Sequence, residues 1–133
     1  MRTLVVDTKH ELSIREVPMP KYNECQALVK MQSCGVCNGT DLKLIHGNFK
    51  NFNTYPAALG HEGVGKVVEV GAKVKTIKPG DIVLLPFVEE KLDDVYSGWG
   101  SYSEYAVVGD AEAYIAQGCS TLYTESLMPQ VSR

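Results

Sequence analysis

Gly60-His61-Glu62-Gly63-Val64-Gly65-Lys66-Val67-Val68-Glu69-Val70-Gly71 is the stretch on which the fold turns. Its valines, with Val74 beyond them, form a β-branched run that favours extended backbone, and Gly63, Gly65 and Gly71 punctuate it. Glycine inside a strand marks a bend, a bulge or a close backbone approach, so a sharply bent or bulged strand is predicted here. A dinucleotide-binding fingerprint does not fit. Gly63-Val64-Gly65 lacks the third glycine and runs on as a strand instead of opening a helix.

Toward the C-terminus, Lys78-Pro79-Gly80-Asp81 is a turn signature. The continuous apolar run Ile82-Val83-Leu84-Leu85-Pro86 behind it suits a buried strand. A charged loop at 89–94 and one more strand at 100–108 follow. Toward the N-terminus, residues 4–7 and 12–16 read as an edge hairpin around a turn at 8–11, with Pro18-Met19-Pro20 as its stop. In the run 26–34, Ala27, Val29 and Met31 alternate with Leu28, Lys30 and Gln32, which predicts a strand ending at Gly35. A short helix is expected at 40–46, with Thr40 or Asn38 as its N-cap and Gly47 at its end, then a polar loop over 48–55. Residues 111–118 fit a helix or a strand, and 121–133 show no period and read as a loose tail. Many short strands, Gly and Pro turns and one short helix predict a mainly β fold, a partly open antiparallel barrel.

Composition narrows the function classes. With 44% hydrophobic and 22% charged residues, the 133-residue chain has the make-up of a soluble globular domain. A formal charge of −3, with Lys and Arg scattered among acids, offers no basic stripe for nucleic acid. No apolar run approaches the ~20 residues of a membrane span, and charge arrives too early for a secretory signal, so a cytoplasmic location is expected.

Two segments carry ligand chemistry: Cys34-Gly35-Val36-Cys37-Asn38-Gly39-Thr40-Asp41 and Gly60-His61-Glu62. Thiolate, imidazole and carboxylate together are what Zn²⁺ prefers. Taken alone, the Cys34/Cys37 spacing also fits half of a zinc ribbon or a redox dithiol. A ribbon needs a second such pair, and Cys25 and Cys119 stand alone. A redox dithiol normally opens a helix in a βαβ pattern, which this sequence lacks. The glycines around His61 serve either a crowded site or only the bends of a strand.

These two segments, with residues 67–71, Lys78-Pro79-Gly80-Asp81 and residues 100–108, resemble the GroES-like catalytic domain of medium-chain zinc-dependent alcohol dehydrogenases, over roughly residues 1–110. Residues 111–133 would then link to a nucleotide-binding domain. The resemblance implies that Cys37 and His61 are catalytic-zinc ligands, that Glu62 is an alternating or substituting ligand, and that Cys34 packs. A further protein ligand would come from outside this chain, leaving the zinc site incomplete.

Thr40 matches the hydroxyl that, in the family, hydrogen-bonds the substrate alcohol and begins a proton relay; a helix N-cap is its other reading. Asp41 matches a carboxylate that accepts the free ring N–H of His61, or is an ordinary first-turn acid. Departures are visible: Asn38-Gly39 puts two residues, not one, between Cys37 and Thr40, and Lys43 stands where relatives carry a relay histidine, with His46 no safe substitute. No cysteine-rich run follows Pro86, so no structural zinc lobe is expected.

The implied whole enzyme moves hydride between a hydroxyl-bearing carbon of an alcohol, polyol or sugar and NAD or NADP, binds neither nucleic acid nor membrane, and forms a homo-oligomer. The chain alone is expected to be inactive. Two competing readings are a zinc-free quinone-type reductase of the same superfamily and a co-chaperonin-like ring-forming module.

Overall fold

Asp7 begins the architecture. In the computed structural model, which describes residues 1–116, its Oδ1 accepts the backbone N–H groups of Lys9 at 2.8 Å and Glu11 at 3.0 Å. His10 occupies the left-handed region at φ 64°. This Asx-type turn folds β1 (Arg2–Val6) back on β2 (Leu12–Glu16) in antiparallel register, Val5 opposite Ser13. β2 is the edge of a four-stranded sheet ordered β2-β1-β4-β7, as the hairpin pattern predicts. Its partners β4 (Ala57–Ala58) and β7 (Tyr96–Ser97) are two-residue strands that no sequence period announces.

The second sheet, ordered β6-β5-β3-β8, contains the valine-rich strand β5 (Gly63–Val70) beside β3 (Gln26–Cys34), with β8 (Tyr105–Gly109) on the far side of β3. The predicted irregularity is present. Register slips between Leu28 and Val29 and again between Met31 and Ser33, which re-aims the strand end that leads to the first cysteine segment. The bridge Thr3–Ser103 joins β1 of the first sheet to the segment just before β8 of the second, and Phe87–Val107 links Phe87 back to β8; the sheets are not closed, which gives the partly open barrel. At that seam the buried hydroxyls of Thr3 and Ser103 lie 2.6 Å apart.

Three apolar clusters hold these parts. Val5, Val17, Ala58, Val88, Leu92, Val95 and Ala106 fill the barrel. Ala27, Val29 and Val67 pack on the second sheet. Leu44 of α1 (Asn38–Ile45), fully buried with Val6, Ala57 and Leu59, pins the helix to the first sheet. Burying a leucine stabilises by about 1.5–3 kcal/mol, so this one residue fixes where the helix start points.

Three sequence expectations need correction. The apolar run at 82–86 is not a buried strand: β6 (Ile82–Leu84) is a sheet edge, with Ile82 and Leu84 exposed. Burial in that region falls instead on residues 86–88. A second short helix, α2 (Ala111–Ala116), joins α1, so the one-helix expectation was too few. The helix starts at Asn38, and its N-cap is Cys37 rather than Thr40 or Asn38. The polar loop expected at 48–55 is present, with Phe52 edge-on to Tyr55 at 5.5 Å. The expected tail at 121–133 lies outside the described residues. Among the described residues, no helix is long and apolar enough to cross a membrane.

Asp110 ties α2 to the loop at 71–77. Its buried carboxylate accepts the N–H of Thr76 at 3.0 Å, the Thr76 hydroxyl at 2.8 Å, the N–H of Glu112 at 3.1 Å and the N–H of Lys75. Burial alone would raise its pKa, but the donors from Lys75, Thr76 and Glu112 more than offset that and hold it below the ordinary 3.8. A lowered folded-state pKa gives stability that is complete above the unfolded value and is lost as pH falls through the folded one. Asp110→Ala is therefore expected to cost about 2–3 kcal/mol near neutral pH, the loss of buried hydrogen bonds to a charged group. Urea unfolding from pH 7 to pH 2.5 should show the gap to wild type narrowing only below about pH 4.

Candidate metal centre

Cys37 sits at the N-cap of α1 with extended backbone, φ −97° and ψ 99°, and its side chain makes no capping hydrogen bond. The thiol is thus left for other partners. Its carbonyl accepts the Asp41 N–H at 2.9 Å, and its own N–H donates to Asp41 Oδ2 at 3.0 Å. Asp41 reaches back along the first helical turn, as the acid of a capping box does.

His61 arrives from the turn before β5. Its Nδ1 faces Asp41 Oδ1 at 3.6 Å, and its Nε2 faces Glu62 Oε1 at 3.7 Å. Asp41 Oδ1 and His61 Nδ1 are both buried without a hydrogen-bond partner. Two orphan atoms pointing at each other are a donor and an acceptor a few tenths of an ångström beyond bonding distance. One ligand atom each from Cys37, His61 and Glu62 lies within 4.8 Å of the others. Sulfur, nitrogen and oxygen gathered in this way match the donor set of zinc, and a modest rotation of exposed Glu62 would draw them closer. The structure thus brings together all three residues expected to be ligands, with Asp41 behind the histidine.

Of the remaining expected site residues, Thr40 stands at the third position of α1 and is half-buried. Lys43 and His46 are exposed, away from the core. Cys34 is half-buried, and burial pushes its thiol upward in pKa, with the nearby Asp41 and Glu62 charges adding to the rise. That keeps it a thiol, in keeping with packing. Cys25 is buried and free, and Cys119 lies outside the described residues.

Two aromatic residues at the site escaped sequence reasoning. The Trp99 ring packs against His61, centroids 5.4 Å apart and tilted 48°, and meets Phe49 edge-on at 5.6 Å. Trp99 also lines a cavity of ≈ 390 Å³ walled by Phe49, Phe52, Phe87 and Val88, with Lys50, Asn51 and Glu89 contributing polar atoms. The Tyr102 hydroxyl donates to Asp41 Oδ2 at 2.7 Å, with the Gly35 carbonyl a second acceptor at 2.9 Å. Burial, then the Asp41 bond, raises its pKa far beyond the working range, so it remains a donor. Only the glycines at 98 and 100 hinted that backbone packs tightly there.

Gly35 completes the frame. Its N–H donates to the Glu62 carbonyl at 2.9 Å, and a Cβ built on it would lie 2.6 Å from Glu62 Oε2. The absence of a side chain at residue 35 lets the cysteine loop lie against Glu62 without displacing its carboxylate.

Residues 23–117 match the family described as the alcohol dehydrogenase GroES-like domain. The chain belongs to that family. An alcohol dehydrogenase of Geobacillus stearothermophilus is 44% identical to this GroES-like domain over 110 residues, 82% of this chain and 30% of the relative. Among solved structures, a putative zinc-binding dehydrogenase from Sinorhizobium meliloti bound to NADP is 30% identical, with a TM-score of 0.66 over 82% of this chain and 36% of its own. Galactitol-1-phosphate dehydrogenase from Escherichia coli is 28% identical, with a TM-score of 0.63 over the same shares, 82% and 36%. The chain spans about a third of the length of the curated relatives it matches.

Proposed function

We propose that this GroES-like domain is the metal-binding, substrate-facing part of a zinc-dependent dehydrogenase that moves hydride between a hydroxyl-bearing carbon and NAD or NADP. The convergence of Cys37, His61 and Glu62, backed by Asp41, carries this reading. Zinc, when bound, supplies Lewis acidity toward a substrate oxygen. The chain's own residues do the rest. Cys37 and His61 would hold the ion, with Glu62 as a third or exchanging donor. Asp41 accepts the His61 ring N–H and so sets which nitrogen faces the other donors. The Thr40 hydroxyl would hydrogen-bond the substrate alcohol and relay a proton, accepting the alcohol's as it passes its own on toward solvent. The ring-lined cavity beside Trp99 receives the carbon frame of an alcohol, polyol or sugar and excludes water from it. The 133 residues match only about a third of the length of their relatives, so no turnover is expected from them alone.

The test is metal uptake by the 133-residue chain. Cobalt(II) is expected to bind at one equivalent and to give a thiolate-to-cobalt charge-transfer band in the near ultraviolet, with zinc displacing it. A chain that retains no metal and shows no band would favour the zinc-free quinone-type reading, in which the same barrel works without an ion. Ring-sized particles in light scattering would favour the co-chaperonin-like module.

A further inference from the structure

We infer that Tyr102 is a positioning residue for this centre: its hydroxyl fixes one oxygen of the Asp41 carboxylate and leaves the other aimed at His61 Nδ1, which turns Nε2 toward Cys37 and Glu62. The inference rests on the metal-binding reading proposed above, but concerns contacts that exist without an ion.

Every segment that carries a donor meets Tyr102. Its N–H donates to the Leu59 carbonyl at 2.9 Å, and its ring lies so close over Gly60 that a Cβ there would stand 2.9 Å from its Cγ. That anchors Tyr102 to the residues just before His61. On the opposite strand side, Leu4 donates its N–H to the Tyr102 carbonyl at 2.9 Å, so the backbone of Tyr102 is held at both its polar atoms. From this fixed base the hydroxyl reaches Gly35, whose N–H grips the Glu62 carbonyl, and Asp41, whose Oδ2 also receives the Cys37 N–H. Oδ2 is thus doubly occupied while Oδ1 has no partner other than the facing His61 nitrogen. A carboxylate held by two donors on one oxygen cannot rotate away from the histidine without breaking both bonds, and the tautomer of a histidine is set by the bond its far nitrogen makes. A phenylalanine at 102 would cover Gly60 equally well and lose only the hydroxyl's bonds to Asp41 and Gly35.

The test compares wild type, Y102F, D41N and the double variant of the 133-residue chain. In the metal-free chain at pH 8, ¹⁵N NMR of His61 is expected to show the Nδ1–H tautomer in wild type and a mixture in Y102F. Zinc affinity, read by competition with a chromophoric chelator, is expected to fall about 10- to 100-fold in Y102F, the range for groups that orient a ligand. The double variant is expected to lose no more than D41N alone, because both act through one bond. D41N alters that bond from its other end and carries the tautomer test by itself if Y102F unfolds. An unchanged His61 tautomer with wild-type affinity in Y102F, or fully additive losses in the double variant, would overturn the inference. A tautomer that responds to Y102F in a chain that takes up no zinc would instead sink the metal-binding reading and leave the positioning role standing.

Discussion

Cys37→Ala is expected to weaken zinc binding by about 100-fold or more while leaving the fold intact. A four-ligand zinc site is worth about 10–16 kcal/mol in apparent binding free energy, so one ligand carries about 3 kcal/mol. The fold should be indifferent because the Cys37 side chain caps nothing; α1 is anchored by the buried Leu44 and by the Asp41 bond to the Cys37 backbone N–H, which alanine retains. Chelator competition gives the affinity and a thermal melt gives the fold. Cys34→Ala is the paired control. Its thiol is held up in pKa chiefly by burial, and its polar contacts are with backbone, the Gly35 carbonyl at 3.6 Å and the N–H groups of Glu62 and His61, so zinc affinity should change little. Equal losses in the two variants would mean that the cysteine pair acts as a unit and that the assignment of one ligand and one packing residue is wrong.

The largest expected effect on stability comes from Gly60→Ala. Gly60 has φ +103°, a conformation that costs an L side chain about 1–3 kcal/mol. Its Cβ would also stand 2.5 Å from the Tyr102 backbone nitrogen, where no flexible side chain can yield. Forcing the strands apart adds about 1–3 kcal/mol. The sum, about 2–6 kcal/mol, is a large share of the 5–15 kcal/mol that holds a domain of this kind together. A melting temperature lower by roughly 10–20 °C is the expected reading. Gly39→Ala provides the contrast, since that glycine lies inside α1 with nothing within 4 Å of an added Cβ. There the better helix propensity of alanine should leave stability unchanged or raise it by about 0.5–1 kcal/mol. If Gly60→Ala melts with wild type, the backbone between Leu59 and His61 is more yielding than its geometry requires.

Much of the site was legible because its donors are local in type. Cysteine, histidine and glutamate flanked by glycine are chemically conspicuous, and their segments end strands whose own periods are clear, at residues 26–34 and 63–70. The turn at Asp7 and the Lys78–Asp81 turn were equally visible, since the Asp81 side chain accepts the Lys78 N–H at 3.0 Å within four residues. What escaped was set by distant partners. Tyr102 meets Asp41 across 61 positions of chain, and no window of sequence contains both ends of that bond.

β6 shows the same limit from the side of packing. Ile82-Val83-Leu84 is as apolar as a buried strand, yet among the described residues its only ladder is with β5, and its outer residues, Ile82 and Leu84, lie exposed. By itself, then, the sequence determined the strand-rich class, the bulged valine strand, the helix after the cysteines and the three donor types. The tertiary structure alone decided which strand lies at an edge, that Cys37 rather than Thr40 or Asn38 caps α1, and which tyrosine grips Asp41. Backbone propensity and side-chain period act over a few residues, whereas sheet order and cross-strand bonds are settled by which surfaces meet when the whole chain closes on its core.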